Sequence, residues 1–254
     1  MNRAQIYRQI TVKRAKGVKI DPSLCFYSTR EALNCLRNNQ KVKLWLNFVS
    51  NHYLPERSDI LLIYPCSADK PYSKSRSYIQ LNKTLSRLRE DRGRIHAVTI
   101  SEPFGLVPEE FHNKNTRWHD WKNDWYDCPG LFEWWCKKYE RPYSEEEADQ
   151  CIEILAHNIA LFLRKVKSKR RYKKIVAFVR TFSSNLKETR DQTHRRIIER
   201  AAEISGVRVH LLPSRTLVSR IIRQNKSFAW DMYGVSHPEA QEYLLRKLRA
   251  LLHD

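Results

Sequence analysis

The sequence predicts an α/β domain built on a central sheet of about four mostly parallel strands. Short continuous apolar runs occur at residues 59–64, 94–101, 175–179 and 207–212. Runs of this kind are typical of strands buried on both faces of a parallel sheet. Segments with helical spacing of apolar residues lie between them. The chain has 254 residues, of which 41% are hydrophobic, and this is enough for one large core.

Residues 1–57 are predicted to form a helical, basic extension that precedes the α/β domain of residues 58–254. Two interpretations of the basic arm at residues 1–20 stay open: it lies along a phosphate backbone, or it is a frayed terminus. A capping box that begins with Ser28 predicts a helix. Apolar residues three and four apart predict a second helix over residues 42–52.

The middle of the chain predicts a βαβ unit. A polar loop and a helix over residues 77–90 connect the strand at 59–64 to the strand at 94–101. The crossover of such a unit is right-handed, so the loops that follow the two strands lie at the same edge of the sheet. Because ligands bind beyond the carboxyl ends of parallel strands, we expect a functional site at this edge.

The second half of the chain continues the alternation of helices and strands. A capping box at Ser144 begins the longest amphipathic helix, which is expected to end near residue 168. The strand at 175–179 precedes a predicted helix over residues 185–205, which Gly206 ends. The strand at 207–212 is followed by helices at 216–224 and from Pro238 to the C-terminus.

The charge of the chain indicates a polyanionic partner. Lys and Arg number 47 against 28 Asp and Glu, a net charge of +19, and residues 164–200 hold 14 basic and three acidic residues. Domains this basic usually bind a polyanion such as nucleic acid. A basic surface kept for solubility is the alternative, and a membrane surface is disfavoured because no large apolar face adjoins the basic segments. The residues expected to contact tRNA or DNA are Lys167, Lys169, Arg170, Arg171, Lys173, Lys174, Arg195 and Arg196.

The composition favours a cytoplasmic protein without a cofactor. No apolar run approaches the ~20 residues that cross a bilayer, and the N-terminus has no apolar core of signal-peptide length. The six cysteines form no CxxC pair and match no common zinc pattern, so we expect reduced thiols and no metal site. P-loop, GxGxxG, HExxH and GxSxG motifs are missing from the sequence, and nothing indicates ATP or NAD.

The polar loop after the first strand is the first candidate site. A thiol just past a buried strand can be activated by a neighbouring cation, and Lys70 is close enough in sequence to Cys66 to act in this way. Asp69 is a candidate base or amine-orienting group. The alternative is a structural turn whose hydroxyls cap the next helix. The candidate residues of the loop are Cys66, Ser67, Asp69, Lys70, Tyr72 and Ser75.

Two further segments are candidate sites. Glu102 follows the second strand and is expected at the same edge as Cys66, while Gly105 allows close backbone approach. An ordinary Pro-Gly loop is the alternative there. Tyr126 and Asp127 precede a predicted helix, where a ring and a carboxylate can stack on and hydrogen-bond a displaced nucleobase. A purely structural aromatic cluster is the alternative for this segment.

Three motifs resemble the core domains of archaeosine synthases. Residues 65–75 read PCSADKPYSKS and resemble the PC-x3-KPY-x2-S signature of that family. Residues 102–110, EPFGLVPEE, are similar to its G-x-V-P-x-E segment, and residues 125–130, WYDCPG, are similar to its YD stretch. The motifs occur in the order of the family and together cover about residues 59–135.

The resemblance implies a three-layer α/β sandwich likened to uracil-DNA glycosylases and an amidinotransferase-like activity. Members of the family add lysine to the nitrile of 7-cyano-7-deazaguanine in tRNA. The resemblance implies that Cys66 forms a transient thioimide and that Lys70 binds phosphate or polarises the nitrile. Protons would be handled by Asp69, Glu102 or Asp127. The residues expected to bind the base are Ser67, Tyr72, Ser75, Gly105 and Tyr126.

Two departures from the family pattern keep alternatives open. The family signature has His where this chain has Tyr78. Full-length archaeosine synthases also carry transglycosylase-like and RNA-binding PUA domains, for which 254 residues leave no room. We therefore expect the basic surface to bind the polynucleotide, with a protein partner for further modification steps. The leading hypothesis is a base-modifying enzyme; a non-catalytic nucleic-acid-binding protein and a glycosylase-like hydrolase are the alternatives.

Overall fold

A five-stranded sheet carries the fold of the computed structural model, which describes residues 2–112, 124–128, 130–187 and 192–254. The strands are β1 (Lys19–Cys25), β2 (Ile60–Pro65), β3 (Ile95–Ser101), β4 (Gly105–Pro108), β5 (Asp124–Asp127), β6 (Lys174–Phe178) and β7 (His210–Leu212). The helices are α1 (Arg3–Arg14), α2 (Thr29–Asn38), α3 (Gln40–Asn47), α4 (Arg76–Ser86), α5 (Glu133–Lys138), α6 (Glu145–Ser168), α7 (Thr193–Ser205), α8 (Arg215–Tyr233) and α9 (Pro238–His253). The sheet has the order β4-β3-β2-β6-β7, and β1 pairs with β5 separately.

Four strands of the main sheet are parallel, as the sequence predicts. Leu62 of β2 lies in register with Ala97 of β3 on one side and Val176 of β6 on the other. All residues of β2 before Pro65 are fully buried, which accounts for the continuous apolar run. The fifth strand, β4, runs antiparallel to β3 and was not predicted. Its four residues are too few for a visible pattern, and their partner strand decides their conformation.

Helices cover both sides of the sheet, and the α/β class is confirmed. On one side α4 packs against α9, where Gln241 donates a hydrogen bond of 3.2 Å to the hydroxyl of Tyr64 on β2. On the other side α6 packs against α2 and α7 and contacts β4. Within the described part of the chain, no helix has both the length and the apolar character needed to cross a membrane.

The basic N-terminal arm is a packed helix, so the expectation of a frayed terminus is wrong. The Asn2 side chain caps α1 by accepting a hydrogen bond from the amide of Gln5, and the Gln5 side chain accepts one from the amide of Asn2. Ile6 is fully buried in the core, and the hydroxyl of Tyr7 donates to the carbonyl of Ile20 at 3.0 Å. An apolar anchor such as Ile6 in a helix otherwise rich in polar residues gives too weak a periodic signal for prediction from the sequence.

The helix predicted over residues 185–205 begins later, at Thr193. Ser183 accepts a hydrogen bond from the amide of Lys187, and Leu186 has a left-handed backbone with φ of 61°. This turn interrupts the helical pattern, and residues 188–191 lie outside the described residues. In contrast, α8 extends beyond the predicted residues 216–224, and β7 is shorter than the predicted strand.

Trp45 connects α3 to the turn before β4, and its replacement should destabilise the folded protein. The buried indole Nε1 donates to the carbonyls of Phe104 at 3.0 Å and Leu106 at 3.2 Å. We expect Trp45→Phe to lower the free energy of unfolding by about 1–3 kcal/mol, because two buried carbonyls lose this donor. Urea denaturation measures the effect. The control Leu44→Ala, at a side chain 45% exposed on the same helix, should change it by less than about 0.5 kcal/mol. Equal losses in both variants would contradict this role of Trp45.

Candidate active site

A thiol, a carboxylate and an imidazole meet at the carboxyl edge of the sheet. Cys66 follows β2, Glu102 follows β3, and His194 is the second residue of α7. Glu102 Oε2 lies 3.0 Å from His194 Nε2, and Cys66 Sγ lies 3.9 Å from the same nitrogen. The hydroxyl of Thr193 donates to Glu102 Oε1 at 2.6 Å. The predicted edge is therefore where these three side chains come together.

Glu102 and His194 form a buried ion pair beside the thiol. Burial alone would favour the neutral form of both groups. Their mutual attraction outweighs burial, raises the pKa of His194 to about 10 and lowers the pKa of Glu102. The thiol of Cys66 is partly exposed. An imidazole within reach of a thiol can carry its proton during nucleophilic attack.

Lys70 is a second buried charge at this site. Its side chain is 1% exposed, its ammonium donates to the carbonyl of Ser67, and it lies 4.6 Å from the ring centroid of Tyr126. Burial lowers the pKa of Lys70, although Cys66 and Asp127 act in the opposite direction. Burial also raises the pKa of Asp127, against the attraction of Lys70. Both groups are therefore shifted towards their neutral forms.

A wall of buried tyrosines backs the loop after β2. The hydroxyls of Tyr72 and Tyr126 are hydrogen-bonded to each other, and Tyr126 also contacts the hydroxyl of Ser101. Tyr78, at the position of the family His, stacks on Tyr72 with ring centroids 5.2 Å apart. The hydroxyl of Tyr78 is hydrogen-bonded to the hydroxyl of Thr99. Tyr72 and Tyr126 therefore form part of the wall, while the hydroxyl of Tyr78 contacts β3.

Three predicted site residues occupy structural positions outside this cluster. Asp69 forms an ion pair of 2.7 Å with Lys16. Ser75 is the N-cap of α4, as the alternative interpretation of the loop proposed. Gly105 has a left-handed φ of 63°, and a Cβ at this residue would lie 3.2 Å from the side chain of Leu46. Gly105 thus serves the packing of helices against β4.

The segment after α1 holds the loop in place. The amide of Lys70 donates to the carbonyl of Arg14 at 2.9 Å, and the amide of Lys16 donates to the carbonyl of Lys70 at 2.8 Å. The Arg14 guanidinium lies 3.7 Å from Asp127, whose Oδ2 accepts a hydrogen bond of 3.1 Å from Tyr27. Backbone and charge contacts therefore join the N-terminal segment to both the loop and β5.

A cavity of about 370 Å³ opens beside His194. The rings of Phe132 and Trp134 contribute to its lining and stack with centroids 5.9 Å apart. Arg180 and Gln192 provide polar groups in the same lining. The cavity combines ring faces with hydrogen-bonding groups, which suits a planar polar ligand such as a nucleobase.

His194 is not among the candidate residues predicted from the sequence. The helix predicted over residues 185–205 placed this residue in a helix interior, far from a strand end. Cys66 and Glu102 were located by the rule that ligands bind beyond the carboxyl ends of parallel strands. The same rule applies to β6, and the connection that follows β6 leads to the start of α7. A His in the first turn of α7 was therefore the feature of the sequence that could have identified this site residue.

Most of the residues predicted to contact nucleic acid lie at the edge of the sheet opposite the candidate site. The basic residues from 167 to 174 precede or begin β6 and therefore lie at the amino ends of the parallel strands. Arg195 and Arg196 are close to the candidate site but are engaged within the protein. The Arg195 side chain is 11% exposed and pairs with Glu199 at 2.9 Å, and Arg196 pairs with Asp149 at 2.8 Å.

The model of a protein family, the domain of unknown function DUF5591, matches residues 42–208. The chain belongs to this family. The matched residues include Cys66, Glu102 and His194, so the family region contains the whole cluster, whereas Arg14 and Lys16 precede it.

Curated relatives of this DUF5591 chain carry the name archaeosine synthase subunit alpha. The one from Thermoplasma acidophilum is 29% identical over 133 residues, which cover 52% of this chain and 21% of the relative. The one from Methanosarcina acetivorans is 29% identical over 174 residues, covering 67% of this chain and 21% of the relative. The chain spans about a fifth of the length of these relatives. The solved structure of AF0587, a protein of unknown function, is 21% identical and covers 71% of this chain and 48% of its own, with a TM-score of 0.38.

His112 should make stability depend on pH. Its ring packs edge-on against Tyr72 and Tyr78, and Nε2 lies 3.1 Å from the carbonyl of Val107. Burial lowers the pKa of His112 to about 4, below the value of about 6.5 in an unfolded chain. Because the folded pKa is depressed, the neutral ring contributes stability above about pH 6.5, which is lost as the pH falls towards about 4.

We expect the free energy of unfolding to fall between about pH 7.5 and about pH 5 by about 2 kcal/mol more in the parent than in His112→Gln. Urea denaturation of both proteins at the two pH values measures this difference. The same pH dependence in both proteins would contradict a buried neutral imidazole at residue 112.

Proposed function

We propose that this chain is a base-modifying enzyme that adds an amine to the nitrile of a 7-deazaguanine base in tRNA or DNA. The observation that carries the proposal is the Cys66 thiol 3.9 Å from the imidazole of His194, which is paired with buried Glu102. Membership of DUF5591 and relatives named archaeosine synthase support the same chemistry.

The proposed reaction is an addition in two steps. The sulfur of Cys66 attacks the nitrile carbon, and the thiol proton passes by way of His194 Nε2 to the nitrile nitrogen, which gives a thioimide. The amine donor then attacks the thioimide carbon, the C–S bond breaks, and the proton that the amine nitrogen loses returns to the sulfur of Cys66. The product is an amidine, and no atom of either substrate is lost. Glu102 holds His194 in place and stabilises the imidazolium.

The base would bind in the cavity beside His194 after displacement from its stack. Phe132 and Trp134 offer ring faces, and Arg180 and Gln192 offer hydrogen bonds. This mode of access fits the glycosylase-like architecture that the sequence resemblance implies, which we retain as part of the proposal.

Lys70 is proposed to polarise the nitrile. Its ammonium is buried and donates to the Ser67 carbonyl, so it is poorly placed to meet a phosphate. It interacts electrostatically with Cys66 and Asp127, and a positive charge there stabilises a developing negative charge on sulfur or nitrogen. Asp127, beside Arg14 and Tyr27, is proposed to set the charge state of Lys70.

The amine addition can be tested with Cys66→Ala. An oligonucleotide that bears 7-cyano-7-deazaguanine is incubated with lysine, as RNA and as DNA, and the nucleosides are analysed by mass spectrometry. We expect Cys66→Ala to lower the rate at least about 1,000-fold, because the nucleophile is lost. The control Cys35→Ala removes a thiol buried in α2 and should keep the parent rate.

Without the amine, the parent should form a covalent adduct with the nitrile base at Cys66, and the Ala variant should not. Full activity of Cys66→Ala would refute the nucleophile. Binding by the parent without product or adduct would instead favour the second candidate, a non-catalytic nucleic-acid-binding protein. Tyr78 favours that candidate, because a tyrosine supplies no imidazole where the family signature has His. Its hydroxyl instead contacts Thr99 and the Pro65 carbonyl.

We also propose that the basic residues at the amino edge of the sheet contact phosphates. Two cavities there, of about 380 and about 400 Å³, share Arg170 and Lys173 in their linings. Lys167 and Arg208 also line the first cavity and are exposed. The neighbouring Asp59 is already paired with Lys173 and Arg94, so it does not neutralise the other cations.

Neutralising this edge should weaken binding in a salt-dependent manner. Each phosphate contact contributes about 0.9 to the slope of log affinity against log salt on duplex DNA. We expect the triple variant Lys167→Gln, Arg170→Gln and Arg208→Gln to lower that slope by about 2–3. Fluorescence anisotropy with a labelled duplex over a salt series measures it. The control variant Lys83→Gln, Arg246→Gln and Lys247→Gln alters exposed cations on α4 and α9 and should keep the parent slope. Equal slopes in both triple variants would contradict a phosphate site at the amino edge.

A further inference from the structure

The three side chains of the candidate active site converge on one point. Cys66 Sγ and Glu102 Oε2 both approach Nε2 of His194, and one potential ligand atom from each residue lies within 4.8 Å of the other two. A catalytic triad instead uses both ring nitrogens, one for the nucleophile and one for the carboxylate. In the part of the chain that the structure describes, no other three side chains of metal-binding type converge in this way.

We propose that Cys66, Glu102 and His194 bind a zinc ion. Zinc accepts thiolate, imidazole and carboxylate ligands, and three protein ligands with one open position are typical of its reactive sites. Bond lengths of about 2.3 Å to sulfur and about 2.0 Å to nitrogen, at tetrahedral angles, place these two ligand atoms about 3.5 Å apart. The observed separation is 3.9 Å. Small side-chain rotations are enough to admit the ion.

The surroundings of the three residues suit a metal ligand set. The Thr193 hydroxyl binds Glu102 Oε1 and leaves Oε2 available, and such outer hydrogen bonds orient ligating carboxylates. A thiolate and a carboxylate together balance the charge of a divalent cation. The cavity on the open side of His194 gives a fourth ligand, water, access to the ion.

Zinc binding and the proposed nitrile chemistry exclude each other. The ion displaces one proton from the thiol of Cys66 and one from the imidazolium of His194, and then engages the sulfur lone pair that would attack the nitrile. Zinc is therefore an inhibitor of the proposed reaction. This inhibition rests on the proposed function, whereas zinc binding itself does not.

Metal titrations of the untagged chain test the site directly. Isothermal titration should show one zinc ion per chain, and Co²⁺ should produce thiolate-to-metal charge-transfer absorption. We expect Cys66→Ala to abolish that absorption and to weaken zinc binding by more than about 100-fold, the upper end of what the loss of an outer partner costs. Glu102→Gln should also weaken zinc binding. The control His253→Gln changes an exposed imidazole near the C-terminus and should bind zinc as the parent does.

A second readout uses the parent chain alone and no nucleic acid. One equivalent of zinc should slow the alkylation of Cys66 by iodoacetamide at least about tenfold, measured on the Cys66 peptide by mass spectrometry. This measurement keeps the proposal testable if Cys66→Ala fails to fold, and its result is separate from the fate of the base chemistry. Unchanged alkylation in the presence of zinc, or parent-like zinc binding by Cys66→Ala, would overturn the proposed site.

Discussion

The buried ion pair between Glu102 and His194 is the interaction on which the site depends. It joins the end of β3 to the start of α7, across the loop that carries Cys66. The two side chains are 3% and 14% exposed, so removing one leaves the other charged and unpaired in the interior. Such a loss typically costs about 3–5 kcal/mol. Each residue therefore keeps the other in position, and the pair holds the imidazole of His194 beside the thiol of Cys66.

The N-terminal segment supplies the second constraint on the site. Hydrogen bonds join its backbone to that of Lys70, and the next element along the chain, β1, pairs with β5. Lys16 and Arg14 bring positive charge to Asp69 and Asp127. Residues on the two sides of the predicted domain boundary at residue 57 are thus in direct contact. The negative charges of the loop region are balanced from a part of the chain that the family match does not include.

The sequence was informative where burial is two-sided and local. The apolar runs of β2, β3 and β6 follow from burial on both faces, and the strand-end rule then located Cys66 and Glu102. Prediction from the sequence failed where the conformation or burial of a segment depends on a partner that is distant in the chain. The pairing of β4 with β3 and the burial of Ile6 leave no local periodicity. His194 joins the site only because β6 lies beside β2 and because a turn delays the start of α7. Spacing rules for metal ligands cannot detect the convergence of Cys66, Glu102 and His194 for the same reason, since these residues are far apart in the chain.

The positions of the two proposed surfaces constrain how a polynucleotide could use both. The thiol lies at the carboxyl ends of the strands and the basic cavities at their amino ends, and the six residues of β2 separate these edges by about 20 Å. As proposed, a base displaced into the cavity at His194 would enter as a single nucleotide, whereas the basic edge would meet only the nucleic-acid backbone. Phosphate contacts carry no sequence information, so this edge would add affinity without selecting the base. Selection would then rest on the cavity and on reactivity, since only a nitrile-bearing base can be trapped by Cys66. On these two proposals, affinity and selection would be separated because charge and chemistry lie at opposite ends of one parallel sheet.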